Sequence, residues 1–217
     1  MKARRVVAGL AATALVLVTG PAMASGNSYT VAVGGSSSAA QRQISASTDA
    51  APSYWMEKPD GTFLKASCSS ADIPSLPTNV VNAGTSVVDI AVIGRFTMIN
   101  CPLAIGTGTV TSVGSWKLHG TSAATNAATD LIAVHLDDVA FQFSNSVCSV
   151  TVTGGLDGSF SESTQKLTID EKADGVGQSA TVTNVVGCLG QVKDNGKFRF
   201  QGTFSTTVAG GSVNIRP

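Results

Sequence analysis

Four cysteines constrain the fold of this chain more than any other sequence feature: Cys68, Cys101, Cys148 and Cys188. Four cysteines allow three pairings, and an internal similarity favours one of them. Residues 116–121 (WKLHGT) resemble residues 198–203 (FRFQGT), and each segment closes a stretch that contains a cysteine. We therefore predict two similar β halves, the first stapled by Cys68–Cys101 and the second by Cys148–Cys188.

A second regularity supports this pairing, because a phenylalanine stands five residues before the first cysteine of each pair, as Phe63 and Phe143. Zinc ligation is the alternative use of four cysteines, but the chain contains no C-x-x-C spacing. In the chain-entropy model each disulfide stabilises the fold by about 3–4 kcal/mol.

The start of the chain predicts export. Residues 1–24 begin with positive charge, continue through an apolar run at 6–18 that is too short to span a bilayer, and end with small residues. We predict a signal peptide cut between Ala24 and Ser25. No second long apolar run follows, so we expect no membrane span and a secreted, extracellular or cell-surface protein with disulfides.

Charge argues against a nucleic-acid partner. The chain has 14 Lys and Arg against 14 Asp and Glu, and three of the basic residues lie in the predicted leader. The remaining chain carries a net charge of about −3 and lacks the basic excess that nucleic-acid binding requires.

The periodicity predicts an all-β fold, an antiparallel β-sandwich or barrel, since short strand-like runs alternate with Gly, Asp and Asn turns and no window has helical periodicity. We divide the chain into a signal peptide at 1–24, a Ser/Ala/Gly-rich N-terminal segment at 25–52, a first β half at 53–121, a linker at 122–129 and a second β half at 130–217. Within the N-terminal segment, YTVAV at Tyr29–Val33 predicts an edge strand; the alternative is a strand that pairs with a neighbouring molecule.

Three local signals fix turns and faces. The sequence KDNG at 193–196 predicts a hairpin turn before the alternating strand 197–201, and KPDG at 58–61 predicts another turn. Apolar residues change parity between 132–136 and 139–143. Asp137 and Asp138 are therefore predicted to form a turn or bulge that resets the register.

His135 and Asp137 are two residues apart, so a regular strand would place them on one face as a base–carboxylate pair. No G-x-S-x-G or other nucleophile motif accompanies them, and we interpret them as surface side chains beside a bulge. His119 stands where Gln201 stands in the second segment, which favours an exposed polar role. We predict no catalytic residue, no cofactor-binding residue and no enzyme activity.

The metal prediction is also negative. Calcium is the alternative for the aspartates, because it takes carboxylate oxygens, but their spacing is wrong for an EF-hand loop. The aspartates concerned are Asp137, Asp138, Asp170 and Asp174.

Three aromatic residues could line a face for a sugar or lipid, although aromatic residues on strands usually lie in the core: Tyr54, Trp55 and Trp116.

Several short motifs resemble a group of uncharacterised four-cysteine secreted proteins of actinobacteria, over most of the predicted mature chain. They are the Phe63/Cys68 spacing, INCPL at 99–103, WKL at 116–118, GCLG at 187–190 and FQGTF at 200–204. The WKL segment and the closing cysteine hairpin are similar, more distantly, to the secreted protein activator of alkane oxidation family, which is associated with biofilm and cell-surface roles. This resemblance implies no catalytic residue.

From these observations we expect a secreted or cell-surface, non-enzymatic β protein with a structural, adhesive or matrix role. Its partner would be a second copy of itself or a cell-envelope component. The alternative is an extracellular binding module for an apolar small molecule or lipid.

Overall fold

The structure is a computed structural model that describes residues 27–171 and 180–217. These residues form sixteen antiparallel β-strands and one short 3-10 turn, Cys188–Gly190. In chain order the strands are β1 (Tyr29–Val33), β2 (Ala40–Thr48), β3 (Ser53–Glu57), β4 (Phe63–Ser67), β5 (Ser70–Ile73), β6 (Asn79–Val87), β7 (Asp89–Ile93), β8 (Thr97–Leu103), β9 (Gly106–Ser112), β10 (Trp116–Gly120), β11 (Leu131–Ser144), β12 (Cys148–Ser161), β13 (Lys166–Glu171), β14 (Thr181–Gly187), β15 (Gly196–Val208) and β16 (Val213–Arg216).

The sheet closes on itself by two routes. One circuit runs β2–β6–β7–β10–β11–β12–β13–β15 and back to β2. The other runs β2–β5–β8–β9–β11–β12–β14–β15 and back to β2. A sheet that returns to its first strand is a barrel, so the predicted all-β sandwich or barrel is confirmed. Each circuit draws strands from the segments 25–52, 53–121 and 130–217.

Both predicted disulfides are confirmed. Cys68, which directly follows β4, is bonded to Cys101 on β8, and Cys148 at the start of β12 is bonded to Cys188 after β14. Cys101 pairs with Gly108, which lies against Phe143 and Ser144 at the end of β11, and Cys148 begins β12 directly after the turn that follows β11. The disulfides therefore clamp one end of the barrel.

The interior is filled by aromatic and aliphatic side chains. Strand β15 alternates as predicted, with Phe198, Phe200 and Phe204 buried, and Phe198 packs edge-on against Phe141 at 5.2 Å between ring centroids. Two apolar cavities between the sheet faces each hold about 20 Å³. That volume is close to the minimum for one water molecule, whereas small-molecule pockets are usually about 300–1,000 Å³.

The predicted turns and bulge are present. Gly61 N donates to Lys58 O at 2.9 Å in the β3–β4 hairpin, and Gly196 N donates to Lys193 O at 3.1 Å before β15. The β11–β12 register shifts between Leu136 and Val139. However, the turn at 193–196 does not join two fully paired arms, because β15 pairs mainly with β3, β13 and β2.

The predicted strand β1 is present, but the prediction that it is an edge strand is wrong, because it pairs with β16 on one side and with β6 on the other. The pattern did not reveal β2, which lies in the polar stretch after β1 and connects β15 to β6 and β5. Among the described strands, β4 and β16 have one partner each. These edges are short and carry Lys65 and Arg216, features that discourage edge-to-edge pairing.

Candidate functional site

Strands β10, β11 and β12 bring two histidines and two aspartates together, which we call the His–Asp array. Register places His119 opposite His135 and His135 opposite Asp157. His135 Nδ1 lies 2.6 Å from Asp157 Oδ1, and His135 Nε2 lies 3.2 Å from Asp137 Oδ1. His119 Nδ1 lies 3.4 Å from the other oxygen of Asp137. The array therefore links three strands through alternating rings and carboxylates.

The prediction that His135 and Asp137 share a face beside a bulge is confirmed. The expectation of an exposed His119 is wrong: its side chain is buried beside the His135 ring, with the ring centroids 5.7 Å apart. Asp157 was missed, because it lies 22 residues from His135 and only the β11–β12 register brings the two together.

The chemistry open to this array is limited. A general base needs a ring nitrogen that can reach a substrate proton, and both nitrogens of His135 already face carboxylates. Each ring nitrogen of His135 therefore has a carboxylate oxygen as its neighbour instead of an open position for a substrate. His119 Nε2 is buried and has no hydrogen-bond partner among the described residues. The geometry favours a structural link between β10, β11 and β12.

The calcium candidates do not converge in the described part of the chain. Asp138 pairs with Lys117 at 3.4 Å, and Asp170 accepts a hydrogen bond from Gln201 at 2.8 Å. Asp174 lies outside the described residues. Across 27–171 and 180–217, no group of three or more His, Cys, Asp or Glu side chains is arranged to hold a metal ion.

The three aromatic candidates separate into core and surface. Tyr54 and Trp116 are buried, and Trp116 Nε1 donates to Ala140 O at 3.1 Å. Trp55 is half-buried on the outer face of β3, since alternation along the strand turns it away from Tyr54 and Met56.

Trp55 belongs to an aromatic–cationic patch that consists of Trp55, Phe63, Lys65 and Arg199. Cross-strand register aligns Arg199 on β15, Trp55 on β3 and Lys65 on β4 in one row. Lys65 Nζ lies 5.2 Å from the centre of the Trp55 ring, and Arg199 Cζ lies 4.1 Å from the centre of the Phe63 ring. Both distances are within the range of cation–π attraction.

The neighbouring lysines differ from the cations of the patch, because they have carboxylate partners. Lys193 Nζ donates to Glu57 Oε1 at 2.7 Å, and Lys58 lies 3.3 Å from Asp60. The Lys193 hydrogen bond, followed by one from the Lys197 backbone N–H, lowers the pKa of Glu57. The described residues supply no carboxylate partner to the cations of the patch.

Three exposed apolar side chains surround the second disulfide, and we call them the apolar tip: Val147, Val186 and Leu189. They are 46%, 67% and 74% exposed. Val147 O accepts a hydrogen bond from Cys188 N at 3.0 Å, and Val186 pairs with Ser149 beside Cys148. Because both strand ends meet at this disulfide, the three side chains share one end of the barrel.

The backbone of the tip is unusual. Residues 187–190 (GCLG) all have positive φ, including Cys188 at 59° and Leu189 at 49°. This left-handed conformation is unfavourable for residues other than glycine, and Leu189 also exposes its apolar side chain there. The GCLG motif was recognised in the sequence, but its conformation was not predicted.

The disulfides bear on the compartment of the protein, whereas the predicted leader lies outside the described residues. The disulfides are compatible with an extracellular location. Ala24 and Ser25 lie outside the described residues, so the cleavage site stays a prediction. Within the described ranges, no helix has the length and apolar character needed to cross a bilayer.

No protein-family model, curated protein or solved structure matches this chain. The resemblance to secreted actinobacterial proteins therefore stays a prediction.

Proposed function

We propose that this is a secreted or cell-surface, non-enzymatic β protein with a structural, adhesive or matrix role, and that the apolar tip contacts a second copy of the chain. The observation that carries the proposal is the clustering of Val147, Val186 and Leu189 around one disulfide. Single exposed apolar residues are common on protein surfaces, whereas clustered ones indicate contact sites.

Two features of Leu189, its backbone conformation and its exposed side chain, are unfavourable for the free energy of folding. Its positive φ is unfavourable by about 1–2 kcal/mol for a non-glycine residue, and its side chain leaves most of its apolar surface in water. Neither feature supports folding of the isolated chain. Strain that local folding does not require is typical of residues retained for function.

The rest of the barrel favours contact through side chains. The described edge strands β4 and β16 are short and charged, which disfavours association by strand addition. The interior cavities of about 20 Å³ give no support to the alternative of an apolar-ligand module. An apolar tip of three side chains is small, so we expect association that is weak and depends on concentration.

Leu189→Asn separates a functional from a structural role. Asparagine tolerates the left-handed region better than leucine does, so the variant should be at least as stable as the wild type. Sedimentation velocity over a concentration series should show that wild-type oligomers weaken or disappear in Leu189→Asn. The matched control is Leu131→Thr, which removes another exposed leucine, on β11, and should keep the oligomers.

Two results would overturn this proposal. The first is a wild-type protein that stays monomeric at every concentration, without fibres or clusters in electron micrographs. The second is Leu189→Asn oligomers that match those of the wild type, since the apolar tip would then not be the contact.

A further inference from the structure

The aromatic–cationic patch is a second surface, separate from the apolar tip, and it has a charge that the described chain does not neutralise. Lys65 is exposed and has no ion-pair partner there. Among the described residues Arg199 has no carboxylate partner either, and its buried Nε has no hydrogen-bond partner. Guanidinium and ammonium groups form their strongest hydrogen bonds with anionic oxygens. The patch therefore offers two cations to an external anion.

The spacing of the row limits the shape of that anion. Adjacent strands lie about 4.8 Å apart, so Arg199 and Lys65, on either side of Trp55, have Cα atoms about 10 Å apart. The charged ends are displaced from these Cα positions, because the Arg199 guanidinium lies over the Phe63 ring on β4 and Lys65 Nζ lies over the Trp55 ring. A ligand that fits this patch has more than one acidic group, together with uncharged surface that can pack on the aromatic rings beside the cations.

We propose that the patch binds an anionic polysaccharide. Acid groups on the sugar chain would pair with Lys65 and Arg199, and a neighbouring sugar ring would pack its C–H face on the exposed part of the Trp55 side chain. Phe63 holds the Arg199 guanidinium by stacking, which leaves the N–H edge of the guanidinium able to donate to a carboxylate, sulfate or phosphate. The predicted extracellular location would place this surface among such polymers.

Other anionic partners fit less well. Nucleic acids present closely spaced phosphates and need a basic face, but Lys58 and Lys193 beside the patch are already paired with carboxylates. Anionic lipid surfaces are usually bound with apolar side chains inserted beside the cations. The large apolar residues that are exposed in the described chain all lie outside the patch.

The test uses the mature protein and polygalacturonate, with neutral dextran of similar length as the reference polymer, and measures Kd by biolayer interferometry. We expect binding to polygalacturonate and not to dextran, with weaker binding at higher salt. Lys65→Ala should weaken binding about tenfold, because it removes one charge-assisted hydrogen bond. Arg199→Lys should also weaken it, because the charge stays and the planar fork is lost.

Trp55→Ala tests the aromatic part, and we expect weaker binding at unchanged net charge. The matched control is Lys117→Ala. Lys117 lies on β10 and pairs with Asp138 on β11, so this variant should leave Kd unchanged. Because Lys65 is exposed, Lys65→Ala should fold normally, and equal urea midpoints would verify this.

Three results would overturn the proposal: equal binding to dextran, wild-type affinity in Lys65→Ala and Trp55→Ala, or tighter binding to duplex DNA or anionic vesicles than to polygalacturonate. Leu189→Asn should retain polysaccharide binding, so failure of the tip and failure of the patch can be told apart.

Discussion

Tyr54→Phe removes one oxygen atom from the core and should stabilise the protein. Tyr54 is 1% exposed, stacks on Phe198 at 6.0 Å between ring centroids and tilts against Phe143 at 6.5 Å. Its hydroxyl oxygen is buried and has no hydrogen-bond partner among the described residues. Phenylalanine keeps the ring contacts and removes the unsatisfied group.

The magnitude follows from the cost of the unpaired hydroxyl. A buried polar group without a partner destabilises a fold by about 1–3 kcal/mol, so we expect Tyr54→Phe to raise the free energy of unfolding by about 1–2 kcal/mol. In a chain of this size, each kcal/mol raises the Tm by about 2–4 °C. Urea unfolding with the disulfides intact, followed by circular dichroism, measures the difference.

The Tyr54 hydroxyl should make the free energy of unfolding fall as the pH rises in the alkaline range. Burial raises the pKa of Tyr54 above its ordinary value of 10.0, so the folded state holds the phenolic proton more strongly than the unfolded state does. The stability that comes from this proton is complete below pH 10.0 and is lost as the pH rises above it. Tyr54→Phe should therefore reduce the alkaline loss of stability.

Tyr29→Phe is the matched control, because the Tyr29 hydroxyl donates to Ser122 O at 2.5 Å. Loss of that hydrogen bond should lower the free energy of unfolding by about 1 kcal/mol. If Tyr54→Phe were destabilised to a similar extent, the Tyr54 hydroxyl would have a hydrogen-bond partner, and the reasoning would be refuted.

Two further predictions concern the clamped end of the barrel. Replacing Cys148 and Cys188 together by alanine opens a loop with a sequence separation of 40 residues, and should lower the free energy of unfolding in urea by about 4 kcal/mol; a loss below about 1 kcal/mol would contradict the chain-entropy estimate. Gly108→Ala would place a Cβ in steric conflict with Phe143 Cε2, so differential scanning calorimetry should show a loss of about 1–3 kcal/mol. An unchanged Tm would mean that the Phe143 ring can move aside.

The parts of the fold that depend on local chemistry could be predicted from sequence. Both turns have Gly where positive φ or a tight reversal is needed, and the parity change around Asp137 revealed the bulge. The disulfide pairing followed from the similarity between 116–121 and 198–203. The strand β2 was not predicted, because Gln41, Arg42 and Gln43 in its first half are exposed and polar. The sequence did not decide between a sandwich and a barrel, because closure depends on pairings between distant segments.

The candidate sites also combine residues that local chemistry identifies with neighbours that only long-range strand pairing brings together. Trp55 could be singled out as an aromatic residue, but its cationic neighbours on β4 and β15 are separated from it in sequence and are brought together only by register. The apolar tip depends on a backbone conformation at Leu189 that residue preferences argue against. The left-handed backbone at Leu189 could not be predicted from residue preferences, because those preferences predict a different conformation for leucine.

The positions of the disulfides connect stability to the two proposed contact surfaces. Cys68 directly follows β4, which carries Phe63 and Lys65 of the aromatic–cationic patch, while Cys148 and Cys188 lie beside the residues of the apolar tip. β4 has a single strand partner among the described strands, and the tip is strained, so these segments would otherwise be among the first to open locally. A covalent bond at each one restrains the segment whose side chains face outward. Each disulfide thus restrains a segment that has either a single strand partner or a strained backbone, and each of these segments carries residues of a proposed contact surface.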